Sequence, residues 1–178
     1  MKTVIKHFEF TEKEIAAGKY QPMNLLQPFW FLWDTDEGIE AFHSNLSELT
    51  DAQIKILACL LYEGEICNGG HDQFFTNSTG ILWKDALEGM RMIGDDEDAD
   101  NFQKVLDYFD GDVPYDHDER QEALEKIYDE HVDDDEFNDF QDNDIAFDDN
   151  RLDEKALEYI KNHPYEFVVN GDYECFDE

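Results

Sequence analysis

The chain has 178 residues, with 46 Asp and Glu against 13 Lys and Arg, and a formal net charge of −33. A charge this negative repels phosphate backbones and anionic lipid, which argues against nucleic acid or a membrane surface as a direct partner. Hydrophobic residues nevertheless make up 41 % of the chain and aromatics 14 %, too many for a purely disordered acidic tail, and the length suits one domain that buries roughly 70 % of its unfolded surface.

Helical signals dominate in chain order, so the predicted fold class is mostly α: a compact multi-helix single domain over 1–178 with at most a minor β element near the termini. Thr11-Glu12-Lys13-Glu14 and Thr50-Asp51-Ala52-Gln53 are capping boxes, in which the Thr hydroxyl takes the backbone N–H three residues on and the acid or amide reaches back. Each predicts a helix start. A shorter piece is expected near 23–33 and a helix over 37–46, and the cluster Phe29, Trp30, Phe31, Leu32 and Trp33 reads as core, with part of it available to a dimer interface. After Thr50, the residues Ile54, Leu57, Ala58, Leu61 and Tyr62 recur at helical spacing, predicting a core helix over 52–66 stopped by Asn68-Gly69-Gly70. Further helices are expected over 81–92, 99–109, 119–132 and 153–162, with a short one over 136–140. The β-like segment is Glu166-Phe167-Val168-Val169, with a partner around Val4 to Phe10.

Cys59, Cys67 and Cys175 are too few and too scattered for a disulfide framework or a closed zinc site, which predicts reduced thiols in a cytoplasm. The first residues carry no apolar leader, and no apolar run approaches the ~18 residues that span a bilayer. Secretion and membrane insertion are therefore not expected.

The charge is segregated. Residues 1–93 hold 14 acids against 7 Lys and Arg, whereas 94–178 hold 32 against 6. The acidic half also carries Phe102, Val105, Leu106, Leu124, Ile127 and Leu152, enough apolar residues to bury a face, so a folded polyanion is expected. Candidate partner-binding residues fall in blocks: Asp95, Asp96, Glu97, Asp98 and Asp100; Asp110, Asp112, Asp116, Asp118, Glu119 and Glu122; Asp129, Glu130, Asp133, Asp134, Asp135 and Glu136; and Asp139, Asp142, Asp144, Asp148 and Asp149. On a helix, residues three and four apart lie about 5–6 Å from each other, so the acids over 119–133 form a stripe that costs a few tenths of a kcal/mol per like-charged pair. The bland alternative is a solvated surface adapted to salt. A salt-adapted surface would be acidic throughout, and the ordinary charge of residues 1–93 favours a binding face.

Acids at Asp96, Asp98, Asp100 and Asp107 fall at calcium-loop positions, but the sixth position is Asn101 rather than Gly, and the apolar period of 102–106 leaves little room for a loop. Histidines 7, 43, 71, 117, 131 and 163 lack metal-ligand spacing and read as surface imidazoles. No metal and no cofactor is expected. The most patterned segment, Asn68-Gly69-Gly70-His71-Asp72-Gln73-Phe74-Phe75-Thr76-Asn77-Ser78-Thr79-Gly80, admits two readings. A small enzyme would use Glu63 or Asp72 as acid or base, with His71 as proton carrier. The structural reading needs less: glycines end one helix, Phe74 and Phe75 enter the core, and Asn77, Ser78 or Thr79 caps the next helix. No nucleophile–base pair is evident, which favours structure and predicts no catalytic residues.

This same segment, preceded by Tyr62-Glu63-Gly64-Glu65, resembles the core motif of a bacterial domain family that includes an acidic DNA mimic. Many members carry Phe where this chain has His71, a difference that bears on local packing. With the acidic second half, the resemblance extends over essentially the whole chain. It implies a mostly helical, dimeric, noncatalytic protein whose negative surface imitates duplex DNA and occupies the DNA-binding face of a helix-turn-helix transcription factor. An inhibitor or chaperone of another basic nucleic-acid-binding protein is the nearest alternative.

Overall fold

The computed structural model describes residues 2–131 and 140–177. Among the described residues it contains nine α-helices and one antiparallel two-stranded sheet, which makes the fold mostly α. In chain order these are β1 (Thr3–Phe10), α1 (Glu12–Ala16), α2 (Pro22–Leu26), α3 (Ile39–Asn45), α4 (Asp51–Thr76), α5 (Trp83–Ile93), α6 (Asp96–Asp107), α7 (His117–His131), α8 (Gln141–Ala146), α9 (Asp149–Asn162) and β2 (Val169–Phe176).

Both capping boxes form, with Thr11 starting α1 and Thr50 starting α4. α4 is the axis of the fold. Its buried residues Ala52, Ile56, Leu57, Ala58, Leu60, Tyr62, Ile66, Phe74 and Phe75 meet side chains from both halves of the chain in one continuous core. Tyr62 packs 4.5 Å from Phe102 of α6 between ring centroids, and Phe75 packs 4.6 Å from Phe109. Burying such side chains, each contributing roughly 1.5–3 kcal/mol, offsets the repulsion among the acids outside.

The expected stop at Asn68-Gly69-Gly70 is a kink rather than an end. Gly69 (φ −157°, ψ 16°) and Gly70 (φ 76°, ψ −171°) leave helical geometry, and the helix resumes from His71 to Thr76. Gly70 is required twice over, because its φ is left-handed and because a Cβ there would collide with the Asp144 carboxylate. No side chain of Asn77, Ser78 or Thr79 caps α5; a 3-10 turn over Ser78–Leu82 leads into it instead.

α6 begins three residues earlier than the apolar period suggests, since Asp95 accepts from the backbone of Asp98 and supplies a cap. α9 likewise begins early, behind Asp148, which accepts from Arg151. The terminal strand is displaced from its expected place. Pro164–Phe167 forms a 3-10 turn, and β2 follows it, paired from Phe10↔Val169 to Thr3↔Phe176. The aromatic cluster of 29–33 is divided: Phe29 is buried, while Trp30 and Phe31 stand exposed. The short helix expected over 136–140 lies outside the described residues except for Phe140, which is buried in the core with a left-handed backbone (φ 65°).

Candidate functional site

α7 starts where Asp116 accepts the backbone N–H of Glu119 at 3.0 Å. Leu124 and Ile127 turn its inner side into the core, which obliges the intervening residues to face water. Asp118, Glu119, Glu122, Glu125, Asp129 and Glu130 are all exposed. The cation that could neutralise this helix points the other way. Arg120 is fully buried and donates from Nε to the Phe75 carbonyl at 2.8 Å, from Nη1 to the Pro114 and Tyr115 carbonyls at 3.1 Å, and from Nη2 to the Asn77 carbonyl at 3.1 Å. Burial lowers its pKa, against a smaller upward pull from Asp116. Gly80 makes room for it, because a Cβ there would stand 2.7 Å from the guanidinium Nε. Lys126, 3.6 Å from Glu130, is the cation left on the outside of α7.

Two grooves flank α7 among the described residues. One, of about 360 Å³, is lined by Asp107, Asp110, Asp112, Lys126 and Glu130, with Tyr108 and Ile127. The other, also about 360 Å³, brings Asp116 and His117 together with Asp36, Glu37 and Tyr115. The predicted acids Asp110, Asp112 and Glu130 are thus assembled in one place, and Asp116 is joined by acids of the ordinary half. Asp107 and Glu125, which the sequence reading passed over, belong to this exposed set; the i, i+3 spacing of Glu122 and Glu125 was the available signal.

The other blocks divide. Asp96, Glu97 and Asp100 are exposed, but Arg91 of α5 stands 3.3 Å from Asp96 and 2.5 Å from Asp100. Asp142 and Asp149 are exposed, and Asp133, Asp134, Asp135, Glu136 and Asp139 lie outside the described residues. Asp95 and Asp98 correct the sequence reading: each is 1 % exposed, so neither can meet a partner. Asp95 sits at a helix N-terminus, where backbone N–H groups and the dipole favour an acid, and Arg151 holds both carboxylates from α9. Asp148 is half-buried as the cap of α9, and Asp144 is half-buried against His71.

His71 is a second correction, being buried rather than a surface imidazole. At the kink its backbone N–H is released from the helix and donates to Asp144 Oδ1 at 2.9 Å, while its ring Nδ1 meets the same oxygen at 2.5 Å. Nε2 meets the Tyr62 hydroxyl at 2.7 Å. Burial lowers the His71 pKa more than Asp144 raises it, so the ring is held neutral, with Nδ1–H donating to Asp144 and the Tyr62 hydroxyl donating to Nε2. Asn101 and Asn143 exchange hydrogen bonds alongside, at 2.8 and 2.9 Å, tying α6 to α8. The NGGH segment therefore seats α8. Glu63, His71 and Asp72 make no side-chain hydrogen bond to one another among the described residues: Asp72 accepts from Tyr128 at 2.5 Å, and burial beside Asp153 and Asp149 pushes Glu63 up to about 7. Glu65 ties the end of α4 by accepting from Gln73, Asn77 and Thr79 at 2.6–2.8 Å.

The calcium-loop register is also resolved, since Asp96 to Asp107 is helical throughout. Among the described residues no group of three or more His, Cys, Asp or Glu side chains could hold a metal ion, and no helix is long and apolar enough to cross a membrane. The three cysteines are free.

A family model described as "DMP19-like protein" matches residues 47–163, the stretch from the start of α4 to the end of α9. The chain belongs to that family. Neither a curated protein nor a solved structure matches it.

Proposed function

We propose, from membership of the DMP19-like family, a family of DNA mimics, that this protein is a noncatalytic DNA mimic. Its acidic surface occupies the DNA-binding face of a helix-turn-helix transcriptional regulator and blocks operator binding. The observation that carries the reading is the arrangement of α7, whose acids face water while Arg120 is turned inside. Asp118, Glu122, Glu125 and Asp129 repeat at four, three and four residues, placing a carboxylate at roughly 4.5–6 Å intervals along the axis. Duplex DNA carries one charge per about 1.7 Å over two strands, so one helix is not enough. The grooves on either side of α7 add Asp107, Asp110 and Asp112 on one flank and Asp36, Glu37 and Asp116 on the other.

Helix-turn-helix proteins set Arg and Lys against phosphates while the recognition helix reads base edges. Carboxylates fixed on a folded scaffold engage the same cations and offer no bases, so binding is competitive with operator DNA and insensitive to operator sequence. Each exposed pair contributes only about 0.2–1 kcal/mol. Several simultaneous replacements are needed to abolish binding.

The test is affinity capture from a bacterial lysate with wild-type protein and with a variant carrying Asp118, Glu122, Glu125 and Asp129 as Asn and Gln, eluted by a salt gradient. The reading expects a DNA-binding regulator retained by wild type, released by raised salt and lost from the variant. Capture of a nuclease or nucleoid protein instead transfers the same face to an inhibitor or chaperone role. Equal capture by both proteins reduces the acids to a solvated surface.

A further inference from the structure

Asp95 and Asp98 stand one helical turn apart at the start of α6, and both side chains are fully buried. One oxygen of each is well served. Asp95 Oδ1 accepts from Arg151 Nε at 2.9 Å and from the backbone of Asp98 at 3.5 Å. Asp98 Oδ1 accepts from Arg151 Nη2 at 2.6 Å and from the backbone of Asp148 at 3.3 Å. The other oxygen of each, Oδ2, is buried and has no hydrogen-bond donor among the described residues. Buried acceptors in native proteins are almost always satisfied, and an unpaired carboxylate oxygen is among the least tolerable exceptions.

The surroundings supply one positive charge for this pair. Arg151 also reaches Glu97 at 2.7 Å and lies 3.9 Å from Asp148, so it is shared among four carboxylates. From α4, Tyr62 and Cys59 face the two acids, and burial raises the pKa of both, keeping them neutral. From α5, Arg91 is directed to Asp96 and Asp100. From α8, Asp144 adds negative charge beside Tyr62. Among the described residues no second cation is paired with either acid. One guanidinium holds both carboxylates side by side, each keeps one orphan oxygen, and a single proton between them supplies the missing donor.

We propose that Asp95 and Asp98 hold one proton between them, making the junction of α6 and α9 a pH-operated joint that is closed while the proton is held and loosened when it is lost. With the proton on Asp98 and shared with Asp95, the orphan oxygens gain a donor and Arg151 has one negative charge fewer to balance. Loss of the proton sets two adjacent charges against one guanidinium. Burial, followed by the hydrogen bond and charge of Asp95, pushes the Asp98 carboxyl up to about 7. The sign follows from linkage: an acid with a folded pKa above its unfolded value of 3.8 stabilises the fold fully below that value, and the contribution is lost as pH rises to about 7. The joint carries exposed acids at both ends, Asp96 and Glu97 on α6 and Asp149 on α9, so its state governs how firmly that part of the surface is held.

The experiment follows the side-chain carboxyl carbons of the full chain by NMR from about pH 5.5 to 8.5, beside urea unfolding of wild type and Asp98→Asn. The Asn amide donates to Asp95 and does not titrate. The expected result is a titration near neutrality at the Asp98 carboxyl carbon. Relative to Asp98→Asn, the wild-type unfolding constant rises by up to roughly tenfold per pH unit below pH 7 and levels off above it. Carbon shifts showing Asp98 ionised at pH 5.5, or an Asp98→Asn protein with the wild-type pH dependence, overturn the proposal. Should the variant fail to fold, the wild-type carbon titration decides alone.

Discussion

Along α7 the acids at 118, 119, 122, 125, 129 and 130 face water, whereas at the start of α6 Asp95 and Asp98 are sealed against Arg151. In sequence both regions are strongly acidic. What separates them is where the cations go. Arg151 reaches back more than fifty residues to hold the acids of α6, and Arg120 turns inward to bind carbonyls, leaving the outside of α7 with Lys126. A protein of this charge gains a coherent negative face by using guanidinium groups as internal fasteners. The position of a carboxylate in the chain says little about its role until its partner is known.

Breaking the fasteners should give the largest effects. Arg120→Ala removes a buried guanidinium that donates to four carbonyls, leaving only those of Phe75 and Asn77 with a second donor, and is expected to destabilise by about 3 kcal/mol in urea unfolding. Arg120→Lys should recover only part of this, because an ammonium cannot span the same carbonyls. Arg151→Ala strips the buried acids of their cation and is expected to cost about 3 kcal/mol at pH 8, with a smaller loss at pH 5.5. Next come the supports of α8. Gly70→Ala forces a side chain into left-handed backbone and against Asp144, at about 1–3 kcal/mol for the backbone alone. His71→Phe leaves the buried Tyr62 hydroxyl unpaired and Asp144 with only the backbone N–H of residue 71, for about 1–3 kcal/mol, and combining it with Tyr62→Phe should cost less than the sum of the single changes. The smallest effect on stability belongs to the face itself. Replacing Asp118, Glu122, Glu125 and Asp129 by Asn and Gln is expected to shift stability by no more than about 0.5 kcal/mol per site, since repulsion at i, i+4 is relieved as charge is lost. A large loss of stability in that variant would erase the distinction between the two regions.

Glu63 sharpens the comparison from a third position. Burial and the charges of Asp153 and Asp149 raise its pKa to about 7, so its contribution to stability also declines as pH rises toward neutrality. Glu63→Gln should flatten part of the pH dependence and raise stability at pH 8, measured by thermal unfolding at several pH values.

The legible parts of this fold are those fixed locally. The boxes at Thr11 and Thr50 and the apolar period of α4 need only neighbours within a turn. Gly69-Gly70 was visible as a break, but whether a break ends a helix or bends it depends on Asp144, more than seventy residues away, which accepts from His71 and fills the space over Gly70. β2 was misplaced because Asn170-Gly171-Asp172 has the composition of a turn, while in the fold Gly171 lies opposite Phe8 in the ladder. The acidic face was visible as composition; which acids belong to it was not, since the burial of Asp95 and Asp98 is decided by one arginine in a distant helix.

Competition for a DNA-binding surface can be measured outright. The most direct measurement takes the regulator captured by this protein, binds it to labelled operator DNA, and titrates in wild-type protein and the four-site α7 variant at two salt concentrations. The account predicts that wild type displaces the operator stoichiometrically, less effectively at the higher salt, and that the variant does not. A ternary complex of regulator, operator and this protein, or equal displacement by the variant, would contradict it.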